Sequence, residues 1–222
     1  MTSERDPSSR HLPPELAGLA GAILTGIGEG LLHFVPGGQY TDQGYSYFAN
    51  ISEGRLFIGH FLGVAAAPLY IAGYWQLTAN LFPARRQLRL IVFAICAYAF
   101  IIGTVWIGQR AFLGLTVQAI SSGRADPGLL ASLSTLNDPL INVLRIAILG
   151  FSLLWVLMVS SGRTRYPRWM AWLSPAFLIT MIFGLYAVWP VIGSWFVPAA
   201  LNVAHIILFS ASLLTLHMRH SQ

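Results

Sequence analysis

The stretch "GEGLLHF", residues 28–34, holds two side chains that can move protons, Glu29 and His33. Spaced i, i+4, they share one face of a helix. The run around them, 16–35, otherwise reads as hydrocarbon. A carboxyl group held away from water keeps its neutral form and can serve as a general acid. Ionisable groups in lipid are costly and mark sites that bind, react or pair. Three other segments have the same character. His60 stands between Gly59 and Gly63; Asp138, Asn142 and Arg145 follow i, i+4, i+7 spacing; Asn202 and His205 are i, i+3.

The elements that position these groups follow from composition. Of 222 residues, 55% are hydrophobic and 9% charged, with mean hydropathy +0.64. A soluble domain carries roughly a quarter charged residues, so the chain reads as an integral membrane protein. The formal charge is +5, and all 13 cations are Arg. No basic stripe supports nucleic-acid binding, and exclusive Arg use points to a GC-rich, bacterial source. The single cysteine, Cys96, lies in an apolar run and reads as a small core residue.

The expected fold class is all-α: a polytopic membrane bundle of six transmembrane helices. A helix crossing ~30 Å of hydrocarbon needs roughly 20 residues. Spans are expected at 16–35, 56–80, 90–112, 139–160, 169–189 and 198–217. Pro139 and Pro198 sit where first-turn prolines belong, and Asp138 then reads as a helix N-cap. Residues 1–15, broken by Pro7, Pro13 and Pro14, read as a cytosolic tail; 16–218 form one domain. Arg5, Arg10, Arg85, Arg86, Arg89, Arg163, Arg165, Arg168 and Arg219 fall on one side of this arrangement. The positive-inside rule makes that side cytoplasmic, with both termini, in a plasma (inner) membrane. The first loop, 36–55, and the third, 113–138, then face outward.

With 1.5 Å rise per residue, Glu29, His60, Arg145 and His205 all lie about 6–10 Å below the outer boundary. His33, Arg55, Gln109, Arg110, Asp138, Asn142 and Asn202 lie close by in sequence depth. The opposite half of every span is nearly free of such groups. Gly26, Gly28 and Gly30 around Glu29 allow close approach of a helix or ligand. Structural alternatives stand beside this. Glu29 pairs with Arg145 as a buried ion pair; His60 and His205 bond neighbouring helices; the aromatic residues pack. The first outer loop carries Tyr40, Tyr45, Tyr47 and Phe48 among glycines and reads as a flap over the bundle mouth.

The stretches "RLFIGHFLGVAAAPLYIAGYWQL" (55–77), "YPRWMAWLSPAFLI" (166–179) and "WFVPAALNVAHIILF" (195–209), together with Glu29, resemble an uncharacterised bacterial family of six-helix membrane proteins. The resemblance implies the fold, an acidic residue at Glu29, an Arg at Arg55 and an Asn at Asn202. It implies no activity. "TVWIGQRAF" (104–112) departs from it at Gln109, where a small residue or His is expected, which argues against a shared metal role for the third helix.

The chemistry expected first is acid–base cyclisation or isomerisation of an apolar, isoprenoid or lipid-like substrate, analogous to membrane-bound terpene cyclases. Glu29 donates the proton, and Asp138, His60 or His205 takes one back. Tyr70, Tyr74, Trp106 and Tyr186 stabilise developing cations through their ring faces. Arg55, Arg110, Arg145, Gln109, Asn142, Asn202 and His33 bind the substrate. This reading needs no cofactor and no metal. Its partners are the bilayer and a hydrophobic small molecule, and it is compatible with a homo-oligomer. A second reading uses Glu29, His33, His60 and His205 for Zn²⁺, or two of the histidines for haem. A third makes the chain a non-catalytic binder of a hydrophobic ligand.

Overall fold

The computed structural model describes residues 12–35 and 45–220, all of whose regular structure is helical. Eight α-helices run in the order α1 (Leu12–His33), α2 (Glu53–Ala65), α3 (Ala67–Ala79), α4 (Arg86–Ser121), α5 (Pro127–Ser160), α6 (Pro175–Val188), α7 (Pro190–Gly193) and α8 (Ala200–His220). Short 3₁₀ turns occupy Ser46–Asn50, Arg168–Leu173 and Val197–Ala199. Arg5, Arg10 and Tyr40 lie outside the described residues.

Among the described residues, five segments are long and apolar enough to cross a membrane: Leu16–His33, Glu53–Ala79, Arg86–Ser121, Pro127–Ser160 and Val197–Met218. The second is α2 followed by α3, joined at Ala66, with Pro68 in the first turn of α3. The sixth expected span, 169–189, departs from the sequence reading. Its first residues form the 3₁₀ turn, and Ser174 breaks it from α6, which has 14 residues. At 1.5 Å per residue α6 spans about 21 Å, short of the hydrocarbon thickness. Five long spans and one short apolar helix therefore replace six equal ones.

The third expected loop, 113–138, is also corrected. α4 continues to Ser121, and α5 begins at Pro127, capped by Asp126, whose carboxylate accepts from the Gly128 N–H at 2.6 Å. Pro139 lies inside α5 rather than in its first turn, so Asp138 is not a cap. α1 likewise starts at Leu12, within the segment read as tail.

α1 is the central helix, packed on α2, α3 and α8, while α4 and α5 form a long antiparallel hairpin. Glycines let α1 touch backbones directly. A Cβ on Gly73 of α3 would lie 2.3 Å from the Gly18 Cα, and one on Gly28 would lie 2.9 Å from the Gly59 carbonyl. Such small-residue contacts hold helices together where no hydrophobic force acts between them. Gly73→Val is expected to drive α1 and α3 apart and abolish the monodisperse detergent-solubilised protein in size-exclusion chromatography. Gly30→Ala meets open space and is expected to be neutral or stabilising, because Ala is the better helix former by up to ~1 kcal/mol.

The two ends of the bundle differ in chemistry. Toward the α3–α4 turn the core is aromatic: Tyr74, Phe151, Trp155, Tyr166 and Phe209 pack together. Trp155 Nε1 donates there to the Met170 carbonyl at 2.9 Å, and the Tyr166 hydroxyl bonds Ser212 Oγ at 2.9 Å. Toward the end where α1 finishes and α2 begins, the buried polar groups collect.

Candidate functional site

α1 brings Glu29 into the interior, 8% exposed, facing α8. Asn202, two residues past the start of α8, donates from Nδ2 to Glu29 Oε2 at 2.5 Å. The Tyr70 hydroxyl on α3 donates in turn to Asn202 Oδ1. The amide thus bridges a phenol and a carboxyl, and its orientation is fixed by using both ends. All three residues line one cavity of about 30 Å³, with Thr25, Phe100, Thr104 and Trp106. A cavity needs roughly 10–15 Å³ to take a water-sized group, so this one takes about two.

Glu29 and His33 share the α1 face yet serve different networks. His33, also buried, accepts at Nε2 from Arg110 Nε at 3.0 Å. Because a guanidinium can only donate, that nitrogen carries a lone pair and the ring is neutral. Arg110 is the hub of a second cluster. Its Nη2 donates to the Tyr47 hydroxyl and its Nη1 to Asn137 Oδ1 at 3.4 Å. Its guanidinium lies 4.7 Å from the Tyr45 ring centroid, 5.3 Å from Phe48 and 5.1 Å from Trp106. Cation–π contact of this kind stabilises a desolvated cation. Asn137 Nδ2 also donates to Gln109 Oε1 at 3.0 Å and to the Trp106 carbonyl at 3.3 Å.

The described part of the first loop packs on this cluster. Phe48 is fully buried, and Gln118 Nε2 donates to the Phe48 and Ile51 carbonyls at 3.1 and 2.6 Å. Tyr45 donates to the Asp138 carboxylate. Burial, then that carboxylate, push its phenol up to about 12, so it remains a donor at any physiological pH. Arg55 closes α1, its Nη2 donating to the Gly30 and Phe34 carbonyls at 3.2 and 2.6 Å, a role cations commonly take at helix C-termini.

Other residues singled out in the sequence stand elsewhere. Asp138, Asn142 and Arg145 do share a stripe, but it faces outward and all three are exposed. Arg145 bonds Asn142 at 3.2 Å rather than Glu29, so the expected buried ion pair does not form. The inward α5 residue is Asn137, one position before the stripe. Arg145→Gln is accordingly expected to shift detergent-state thermal stability by no more than about 0.5 kcal/mol, the range of surface substitutions, read as an unchanged melting temperature.

His60 is half-buried, with Nδ1 3.0 Å from the Gly108 carbonyl. It thus holds α2 to α4, and its ring is flanked by Phe61 and Phe112. His205 is fully buried, and its Nδ1 donates to the Leu201 carbonyl at 2.6 Å. Tyr70, Tyr74 and Phe100 enclose its ring, with centroids 5.4, 5.5 and 5.3 Å away. Tyr74 is a wall of that box, and Tyr186 on α6 is half-buried outside the Glu29 cavity. The three imidazoles therefore do not converge with Glu29. Among the described residues no three His, Cys, Asp or Glu side chains are grouped to hold a metal ion. The donor set that the zinc reading required is dispersed over three separate packing sites.

Sequence reasoning missed Asn137 and Thr25. Asn137 was hidden by its neighbour Asp138, which mimics a cap. Thr25 had a signal, since it precedes Glu29 by one turn on the same face.

No curated protein and no solved structure matches the chain. Residues 10–218 match the model of a family of unknown function, DUF6796. The match covers nearly all of the bundle and carries no activity with it, so the terpene-cyclase analogy gains nothing from it. The chain belongs to the DUF6796 family.

Proposed function

We propose that the chain is an integral membrane enzyme that isomerises or cyclises an apolar, isoprenoid-like substrate by proton transfer from Glu29. The observation that carries this reading is the partnering of Glu29. It is a buried carboxyl whose hydrogen-bond partner is a neutral amide, with no cation at ion-pair distance among the described residues, in a cavity with aromatic walls. A buried carboxyl without a counter-ion avoids the cost of its charge by keeping its proton, and that is the form a general acid requires.

The chemistry balances without a co-reactant. The Glu29 carboxyl protonates one carbon of a double bond, and the cation forms on its neighbour, facing Tyr70, Phe100 and Trp106. The Glu29 carboxylate then removes a proton from an adjacent carbon, or an internal double bond closes on the cation before that proton leaves. Asn202 holds the carboxyl in one orientation throughout, and Tyr70 holds Asn202. The Thr25 hydroxyl is buried on the same cavity wall without a partner among the described residues, which suits contact with an oxygen of the substrate. A volume near 30 Å³ admits the reacting group, while the remaining hydrocarbon stays outside the cavity. The reading takes the Arg-rich side as cytoplasmic, which would set the site in the outer half of the bilayer.

The test is mass spectrometry of lipid extracts from cells making wild type or Glu29→Gln at equal folded abundance. Both cultures are fed polyprenyl alcohols, epoxides and diphosphates. A product formed by wild type alone is expected. Identical extracts, with a ligand copurifying unchanged, would overturn catalysis in favour of a binding protein.

A further inference from the structure

A second site lies between α4 and α5, outside the Glu29 cavity. α4 and α5, with 36 and 34 residues, are about 54 and 51 Å long at 1.5 Å per residue. A span of ~30 Å needs roughly 20 residues, and counting about that many from Leu90, just past the Arg85–Arg89 cluster, reaches Gln109. The hairpin beyond Gln109 overruns the hydrocarbon. Yet Phe112, Leu115, Leu129 and Leu136 are 60%, 44%, 46% and 68% exposed there. They line a groove of about 470 Å³, within the range of ordinary small-molecule sites. Apolar side chains gathered in a groove past the edge of the hydrocarbon suit a ligand that brings its own apolar area.

The groove has one polar end. There Asn137 is buried and its donors are taken up by Gln109 Oε1 and the Trp106 carbonyl. Gln109 accepts on Oε1, while its Nε2 donates to no other described residue. Two N–H groups are therefore offered at the end of an apolar channel. None of the lining residues is charged.

We propose that this groove binds a single-chain membrane amphiphile, with its hydrocarbon tail along the α4–α5 leucines and Phe112. Its head group is an uncharged oxygen acceptor (hydroxyl, ketone or ester carbonyl) held by Gln109 Nε2. A carboxylate or phosphate head would lack a cation in the lining and lose its hydration without compensation. The groove and the Glu29 cavity share no lining residue, and Trp106, which lines the cavity, meets the groove through its carbonyl on Asn137.

The test uses the full-length protein in nanodiscs with hexadecanol carrying a chain diazirine as probe, followed by peptide mapping. Labelling is expected to concentrate in residues 109–137 and to be competed by hexadecanol and methyl hexadecanoate, but poorly by hexadecanoate. Ala119→Trp fills the groove and should lower labelling at least tenfold; Thr116→Trp fills it from the same helix should the first variant fail to fold. Gln109→Leu should reduce hexadecanol labelling about fivefold, to that of an alkane probe of equal length. Glu29→Gln should label as wild type, so a failure of the catalytic reading leaves this one standing. Label spread evenly over the lipid-facing surface, or indifference to a folded tryptophan variant, would overturn the proposal. So would stronger competition by hexadecanoate, or inter-chain crosslinks showing a second copy seated in the groove.

Discussion

Replacing Glu29 by Gln is expected to lower turnover by at least 100-fold while leaving the melting temperature in detergent within a few degrees of wild type. The reason lies in the separation of the two properties at this position. Gln is isosteric with Glu and its carbonyl can accept from Asn202 as the Glu29 oxygen does at 2.5 Å. The Asn202–Tyr70 bond and the α1–α8 contact then survive. What disappears is the exchangeable proton, and removal of a positioned general acid typically costs 10²–10⁴ in rate. Measured as product formation per folded protein, beside a thermal melt of the same sample, the two readouts should diverge. A variant that melts early would make Glu29 a structural residue; one that is folded and fully active would remove it from the chemistry.

The second large effect is at Arg110, and it is expected to have the opposite signature. Arg110→Met keeps the length and apolar stem but strips the hub of its second cluster. His33 Nε2 and Asn137 Oδ1 lose this donor in a buried place, and each such loss costs roughly 1–3 kcal/mol. The contacts of the guanidinium with Tyr45, Phe48 and Trp106 go as well. A loss of several kcal/mol is expected, enough to melt the end of the bundle under the Ser46–Asn50 turn. It should appear as a large drop in melting temperature together with new protease cleavage between residues 45 and 52. A melting temperature unchanged by Arg110→Met would mean that the cluster stabilises nothing and that the arginine is held for a ligand.

Legibility in the sequence varied with the range of the interaction that decided each feature. The α5 boundary is the clearest case. Two Asp–Pro pairs bear on the start of α5, Asp126–Pro127 and Asp138–Pro139, and each has the residues of a capped helix start. The first is the cap in fact; the second lies mid-helix, where α5 simply continues and Tyr45 holds the outward carboxylate. Local chemistry is equal at the two places. The choice is made by α4, which runs on to Ser121 and gives the upstream residues of α5 something to pack against. The rotation of α5 against α4 then turns Asn137 inward and leaves Asp138 and Arg145 exposed.

Composition and hydropathy alone determined that the chain is a helical, membrane-type protein, that its polar interior lies toward one end, and that Glu29, Tyr70, Trp106 and Asn202 belong among its candidate residues. Those features need only a count of apolar residues, a helical repeat and a rise per residue, which are properties of single segments. Tertiary structure alone decided which groups meet. The i, i+4 spacing put Glu29 and His33 on one face, but α8 and α4 approach that face from different sides, so the carboxyl went to Asn202 and the imidazole to Arg110. The same cause scattered His60 and His205 among packing contacts and left a cavity beside Glu29. Helix rotation and neighbour order are set by which surfaces fit, above all by the Gly18–Gly73 and Gly28–Gly59 contacts, and no one segment contains both halves of such a contact.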